Sequence, residues 1–449
     1  MKILFISLGC DKNLVDSEMM LGMLREKGYT FTDDEREAEA VVVNTCCFIN
    51  DAKEESVNTL LEMAQLKERG QVKVLIAAGC LAQRYREEIQ EEIPQVDAIV
   101  GTAAIDTIVT AMEEALSGIC RNHYRELGAP PVTVSKRIVT TGGHFAYLKI
   151  AEGCDKHCTY CIIPKIRGSY RSVPMENLIS QAKKLAMDGV RELILVAQES
   201  TLYGKDLYGE KMLPALLKQL AQIEGIYWIR ILYCYPEEIT DELIQVMEQE
   251  PKICHYLDIP IQHAADRILR QMGRRTGQDQ LREVIDRLRE RIPDICLRTT
   301  LICGFPGESE EDHEELVDFV DEMEFDRLGV FTYSREEDTP AAAMPGQVDE
   351  ETKQLRRDAV MELQQLIVFE KANAMKGRVL TVMIEGKVSD EDAYVARTYR
   401  DAPNVDGYLF VQTKRSLLTG DFVKVLVTGS NEYDLIGEIC EGAALTNQS

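Results

Sequence analysis

No window of about 20 consecutive apolar residues runs anywhere in the 449 residues, so no membrane-spanning helix is expected. The first apolar run, Met1 to Ile6, reads as a strand that leads straight into Gly9-Cys10-Asp11-Lys12. It lacks a small-residue cleavage pattern, so no secretory leader is expected and the chain reads as cytoplasmic. Histidine is scarce, six in all, and no two share ligand spacing, so none is assigned to a metal. Positive charge is also short: 51 Lys and Arg face 76 Asp and Glu, a net charge of −25. Such a surface repels bare phosphate backbones and attracts basic partners. What is plentiful is cysteine. Thirteen thiols in a chain read as cytosolic point to metal or redox chemistry before disulfides. With 45% hydrophobic and 28% charged residues the chain is an ordinary globular protein, of roughly three domains at about 150 residues each.

Three of those cysteines, Cys154, Cys158 and Cys161, stand in Glu-Gly-Cys-Asp-Lys-His-Cys-Thr-Tyr-Cys. A C-x3-C-x2-C loop can wrap three thiolates around three corners of a cubane iron–sulfur cluster, which is usually held by four. The fourth iron is then open, as the fourth position of a catalytic zinc site is open. The alternatives are a zinc knot and three core cysteines. Zinc wants a fourth Cys or His at short spacing, and His157 is crowded between two of the thiols.

The first hundred residues alternate strand and helix. Apolar runs at Lys2–Leu8, Val41–Asn44, Val72–Ala78 and Asp97–Val100 predict four parallel strands, with helices over about Leu14–Gly28 and Asp51–Arg69. Cys10, Cys46 and Cys80 each fall just past the end of a strand, 36 and 34 residues apart. Open α/β sheets bind ligands outside those carboxyl ends, so the three thiols should converge in space. Cys47 should point the other way. A linker without periodicity is expected over 121–141, then strands at Ala146–Ala151, Glu192–Ala197, Tyr227–Leu232, Tyr256–Ile261, Cys296–Cys303 and Arg327–Tyr333. Six βα units fall short of a closed eight-unit barrel, so a partial, TIM-like (βα)6 barrel is predicted, with the Cys154 loop at its active face. A helix over about Asp349–Met375 leads to a β-rich tail with runs at Val379–Ile384, Gly407–Val411 and Phe422–Val427. That tail predicts a small five-stranded barrel of the oligonucleotide-binding (OB-like) kind. The fold class is thus α/β: an N-terminal parallel-sheet domain (1–120), the linker, a partial barrel (142–348), a connecting helix (349–376) and a small β-barrel (377–442). The remaining seven cysteines, Cys47, Cys120, Cys234, Cys254, Cys296, Cys303 and Cys440, are expected in the core by default.

The Cys154 loop resembles the signature of the radical S-adenosylmethionine enzymes, with Tyr160 as the aromatic residue before the last cysteine. Together with Ser7-Leu8-Gly9-Cys10-Asp11-Lys12-Asn13, Val43-Asn44-Thr45-Cys46 and Gly79-Cys80-Leu81-Ala82-Gln83-Arg84, the chain resembles the methylthiotransferases of that class along nearly all its length. The resemblance implies two 4Fe-4S clusters, one on Cys154, Cys158 and Cys161 and one on Cys10, Cys46 and Cys80. It implies S-adenosyl-L-methionine as cofactor, a reductant such as flavodoxin or ferredoxin, and a TRAM domain at the tail. It also implies that barrel exits such as Ala197-Gln198-Glu199-Ser200-Thr201 and Leu301 to Glu308 contact the cofactor, with Tyr160, Gln198, Glu199 and Arg298 as candidates. One molecule of cofactor methylates a sulfide, a second yields a radical that takes hydrogen from carbon, and the carbon radical captures the methylthio group.

Family members modify transfer RNA adenosine or a ribosomal protein. The first loop, and Tyr256-Leu257-Asp258-Ile259-Pro260-Ile261-Gln262-His263, resemble the branch that acts on the β-carbon of an aspartate in ribosomal protein S twelve, free or on the small subunit. Charge favours the same branch over the transfer RNA alternative. Residues 377–442 hold 7 Lys and Arg against 11 Asp and Glu, a net of −4, the wrong sign for a nucleic-acid groove. Tyr394, Tyr399 and Tyr408 are the aromatics available there for stacking on bases.

Overall fold

The computed structural model describes residues 1–133 and 136–440. Val134 and Ser135 of the expected linker, and Glu441 and Gly442 at the expected end of the tail, lie outside them. Five parallel strands make the first sheet: β1 (Lys2–Ser7), β2 (Thr30–Thr32), β3 (Ala40–Thr45), β4 (Val74–Ala78) and β5 (Ala98–Val100), in the order β2-β1-β3-β4-β5. Strands β3 and β4 are buried at every position, as central parallel strands covered on both faces must be. Four strands are expected from the sequence; the extra one, β2, is a three-residue Thr-Phe-Thr edge, too short to carry a period. The helix Asp11–Glu26 packs Val15, Met19, Met20 and Leu24 onto this sheet. Its opposite face is polar, yet Lys12, Asn13, Asp16, Ser17 and Glu18 are buried as well, because that face meets the next domain.

The second sheet begins with β6 (Phe145–Lys149). A short antiparallel ribbon, β7 (Ala151–Glu152) with β8 (Arg171–Ser172), follows. Then come β9 (Glu192–Val196), β10 (Trp228–Ile231), β11 (Ile253–Asp258), β12 (Cys296–Cys303) and β13 (Arg327–Thr332). The order β13-β12-β11-β10-β9-β6 is sequential and all parallel, and β6 does not pair with β13, so the barrel is partial, as expected. Alternation sorts its side chains. Ala146, Leu148, Leu193, Leu195, Ile229 and Ile231 face the outer helices. Phe145, Tyr147, Ile194, Val196, Trp228 and Tyr256 join a second core inside the curve. Strand β11 runs three residues earlier than predicted. Pro260 has no N–H to give a neighbour and Gln262 turns left-handed at φ 73°, so pairing stops at Asp258 and resumes only at the isolated bridge Gln262–Leu301.

The helix Glu350–Ala374, capped by Asp349 on Thr352 N–H at 2.9 Å, covers β12 and β13. It leads to β14 (Val379–Lys387), β15 (Ala393–Thr398), β16 (Leu409–Gln412), β17 (Phe422–Asn431) and β18 (Asp434–Ile439), a closed five-stranded barrel. Strands β15 and β18 escape the sequence reading because polar residues break their apolar runs; Arg397 and Thr398 of β15 are in fact fully buried. No helix among the described residues is long and apolar enough to cross a membrane.

This small barrel plugs the amino-terminal end of the partial one. Glu192 takes Arg230 Nε at 2.8 Å on one oxygen and pairs with Arg397 Nη2 at 2.8 Å on the other, with all three side chains fully buried. Arg298 reaches Asp406 at 2.8 Å, Arg327 reaches Asp401 at 2.5 Å, and Arg400 returns to Asp326 at 2.7 Å. Two acids of the tail, Asp401 and Asp406, are thereby neutralised by the barrel, and two of its bases, Arg397 and Arg400, by Glu192 and Asp326, so these pairs leave the tail's excess of −4 as it was. Two of the three stacking candidates are occupied too. Tyr394 is buried in the barrel core, and the Tyr399 hydroxyl donates to Asp294 O at 2.9 Å. The expected core placement of the seven remaining cysteines holds for Cys47, Cys234, Cys254, Cys296 and Cys303. Cys120 is instead exposed and Cys440 half-buried, each at the end of its domain where little packs over it. Replacing Glu192 with alanine strands two buried guanidinium groups, and breaking such a pair costs about 3–5 kcal/mol. A urea titration should show Glu192→Ala unfolding at clearly lower denaturant than the parent.

Candidate active site

Strands β1, β3 and β4 each run into a cysteine-bearing turn. Cys10 is exposed, while Cys46 and Cys80 are buried. Gly9 (φ 87°) and Gly79 (φ 89°) take left-handed turns just ahead of Cys10 and Cys80. A Cβ on Gly9 would stand 2.7 Å from Cys46 Sγ, and one on Gly79 2.5 Å from Thr45 O, so only glycine lets the turns close together. Asn13 and Thr45 stitch them. Asn13 Nδ2 donates to Leu8 O at 2.6 Å and to Thr45 O at 3.2 Å, and the Thr45 hydroxyl donates to Ala78 O at 2.6 Å. The thiols lie in one another's field. Burial pushes the Cys80 thiol up, Arg167 opposes it, and Cys46 and Cys10 add to the rise. Cys46 is likewise raised, by burial first and then by its neighbour Cys10. Cys47 is buried in an apolar cluster with Leu81 and Ile99 that also holds Cys80, and it adds to the rise of the Cys80 thiol as well.

The second triad sits on the loop between β7 and β8. Cys154 N–H donates to Gly168 O at 3.1 Å, and Thr159 is tied to Met272 O and Gln271 O at 2.9 and 2.8 Å. Burial raises Cys154 to about 12, and Cys158 adds to it; Cys161 is raised the same way by burial, Cys158 and Cys154. All six thiols are free of disulfides. Among the described residues no three His, Cys, Asp or Glu close to the spacing of a single metal ion, which a zinc knot would require.

The other candidates are dispersed. Tyr160 packs beside Ala265, Ile268 and Met272, with Arg274 in its field. Gln198 and Glu199 leave β9 side by side. Gln198 Nε2 donates to Glu152 at 3.2 Å, and Glu199 binds Thr201 N–H at 2.9 Å and stands 3.8 Å from Lys156. Each keeps a buried acceptor oxygen without a hydrogen bond, and Arg274 keeps a buried donor, Nη1. Unpaired polar atoms beside three thiols fit a polar cofactor at this mouth. Arg298 stands apart, engaged with Asp406 at 2.8 Å and Asp258 at 3.7 Å.

Sequence reasoning missed what joins the two triads. Arg167, six residues past Cys161, is fully buried. It donates to Asp16 at 2.7 Å, to Glu152 at 3.1 Å and to Asn13 Oδ1 at 3.0 Å. Lys149 completes the lattice, paired with Asp16 and, at 2.7 Å, with Glu152. The signal available was the polar face of the first helix, which reads in sequence as a solvent face.

Three family models match the chain: "Uncharacterized protein family UPF0004" over residues 2–101, the radical SAM superfamily over 148–320 and the TRAM domain over 377–440. The chain is 61% identical to the "Ribosomal protein uS12 methylthiotransferase RimO" of Lachnoclostridium phytofermentans, covering 97% of this chain and 99% of the relative. Proteins of the same name from Pelotomaculum thermopropionicum and Clostridioides difficile are 50% and 48% identical, over 97% and 98% of this chain and 99% of each relative. In fold, the chain is similar to the radical S-adenosylmethionine methyltransferase TsrM of Kitasatospora setae. The TM-score there is 0.54 at 13% identity, over 76% of each chain. The radical enzyme OxsB gives 0.52 at 13% identity, over 82% of this chain and 56% of that one.

Glu199 offers a test of how dry this mouth is. Burial raises its carboxyl from 4.5 to about 7, against the pull of Thr201 and Lys156. The folded state therefore holds a proton that the unfolded chain has released, and stability falls as pH rises from 4.5 to 7, then levels. Urea unfolding midpoints of cluster-free protein should fall across that window, and Glu199→Gln should flatten the fall.

Proposed function

Since the chain belongs to the RimO family of ribosomal protein uS12 methylthiotransferases, we propose that it methylthiolates the β-carbon of an aspartate in that basic ribosomal protein. It is a transferase of the radical S-adenosylmethionine class, dependent on iron–sulfur chemistry and on S-adenosylmethionine. The transfer RNA alternative is set aside, because the relatives reported above, alike across nearly the whole chain, are named for the ribosomal protein.

The observation that carries the reading is Arg167, which follows the Cys154 loop, binds Asp16 and Asn13 of the first helix and stands in the field of Cys80 and Cys10. We assign Cys154, Cys158 and Cys161 to one 4Fe-4S cluster and Cys10, Cys46 and Cys80 to a second. Tyr160, Gln198 and Glu199 line the place of the cofactor, while Arg298, also expected there, is engaged with Asp406 and Asp258 instead. Cys154, Cys158 and Cys161 would hold a cluster able to supply one-electron chemistry to S-adenosylmethionine, and Cys10, Cys46 and Cys80 one able to supply sulfur for transfer. The side chains do the rest. Cys154 and Cys158, nearly inaccessible to solvent, exclude water from the radical site. The orphaned oxygens of Gln198 and Glu199 accept from ribose or ammonium groups, and the free donor of Arg274 faces a carboxylate. No general base is assigned, because the β-hydrogen of an aspartate has no useful acidity and proton transfer cannot open that bond. The proposal keeps the domain division read from sequence and takes a flavodoxin or ferredoxin as electron donor and the cytoplasm, where ribosomal proteins are met, as the place of action.

Iron content and electron paramagnetic resonance of anaerobically purified protein test the assignment. About eight irons per chain are expected, falling to about four in a Cys154/Cys158/Cys161→Ala variant. Reduced enzyme given uS12 and transfer RNA separately should add a methylthio mass to uS12. Four irons in the parent, or mass gained by RNA alone, would defeat the reading.

A further inference from the structure

Two residues beyond Cys10, the side chain of Lys12 is buried, with 8% of it exposed. Its ammonium lies 3.2 Å from the centre of the Tyr233 ring and 3.5 Å from Asp11 Oδ1. Among the described residues its Nζ donates no hydrogen bond within the geometry that the acids around it enjoy. Those acids are already served. Asp11 Oδ1 accepts from the Tyr233 hydroxyl at 3.0 Å and from Lys12 N–H at 3.2 Å. Asp258 accepts from Tyr233 N–H at 3.0 Å and faces Arg298 at 3.7 Å. A buried ammonium with three donors and one long ion pair is poised for a further anion.

The support beneath it is strained. Tyr233 follows β10 with φ 61°, a left-handed conformation that a bulky side chain rarely takes. It is held there by Asp258, Asp11 and the Ser200 N–H, which donates to Tyr233 O at 2.9 Å. Strain of this kind persists where surroundings over-determine it, and here it sets an aromatic face under the cation. Asp11 and Cys10 both lie in the field of Tyr233, so the ammonium stands where the first sheet's cysteine turn meets the mouth of the partial barrel.

We propose that Lys12 is the carboxylate-binding residue of the substrate site: its ammonium takes the side-chain carboxylate of the aspartate to be modified, setting the adjacent carbon beside the Cys10 turn. The inference rests on the proposed function and adds a specificity element to it. A neutral base has no use for this cation; an aspartate, entering a site already crowded with thiolates and with Asp11 and Asp258, does.

The test is binding of uS12 to the full-length, cluster-loaded enzyme with S-adenosylmethionine present, read by fluorescence anisotropy. The uS12 substrate is prepared with its target aspartate intact and with that aspartate changed to asparagine. Wild type should bind the aspartate form about ten- to a hundredfold more tightly, the range of one charge-assisted hydrogen bond. Lys12→Gln should bind both forms alike, at the asparagine level, with unchanged iron content, and Lys12→Arg should restore part of the preference. Equal binding of both forms by wild type, or a preference kept by Lys12→Gln, overturns the inference even if the variant folds poorly, since the wild-type comparison needs no variant. Wild type that methylthiolates uS12 without such a preference defeats Lys12 alone; wild type that leaves uS12 unmodified defeats the proposed function and Lys12 with it.

Discussion

The buried lattice of Arg167, Asp16, Lys149 and Glu152 is the constraint on which the rest of the molecule depends. Four charges removed from water are tolerable only if each is paired and its remaining donors and acceptors are used. Asn13 and Gln198 take up part of that remainder, at 3.0 Å from Arg167 and 3.2 Å from Glu152. Burial alone would raise the Glu152 carboxyl, but Arg167 and Lys149 outweigh it and hold it at about 2. Because Asp16 comes from the first domain and the other three from the barrel, the ions pair only when the two sheets face each other. The same Arg167 is the main positive charge over Cys80. Docking and the electrostatics of the first triad are therefore one event.

The partial barrel has two ends with opposite chemistry. At the amino-terminal end, Glu192, Arg230 and Arg397 close the lumen with fixed charges, and Phe422 packs edge-on against Trp228 at 4.9 Å between ring centres. At the carboxyl end Gln198, Glu199 and Arg274 each keep one buried polar atom without a hydrogen bond. A sheet open at one edge would admit water along its whole length. Here the first helix covers the β6 side, the helix Glu350–Ala374 covers the β12–β13 side, and the small barrel stops the bottom. Access is left at the mouth, where the chemistry needs a dry but reachable site.

Much of this was legible in the sequence, and the failures have a common cause. Strand β12 has the bounds expected of it, Cys296–Cys303, because the run is rich in strand-forming Thr, Leu, Ile and Cys and holds no Gly or Pro. Strand β15 was not read, because Arg397 and Thr398 look like solvent-facing residues and are fully buried against Glu192 and Asp401. The acidic balance of the tail survives this pairing, because Asp401 and Asp406 bind arginines of the barrel while Arg397 and Arg400 bind its acids Glu192 and Asp326, two of each sign. Of the residues proposed for the site, the six thiols and the pair Gln198 and Glu199 are legible in the sequence by spacing and by their place at strand exits. Arg167, Lys149 and Tyr233 are not, since nothing local distinguishes a buried arginine from an exposed one, or a left-handed tyrosine from an extended one.

By itself the sequence determined the order of domains, the parallel character of both large sheets and the two sets of three cysteines, because period, spacing and strand exits are local properties of the chain. Tertiary structure alone decided that the polar face of Asp11–Glu26 would be an interface rather than a surface. It also decided that Arg167 would stand over the thiols of another domain and that the Lys12 ammonium would rest on the Tyr233 ring with one long ion pair to Asp11. Charge carries no periodicity that tells where it will be buried. Its partners come from segments more than a hundred residues away, such as Asp16 for Arg167, and only the packed molecule brings them within reach.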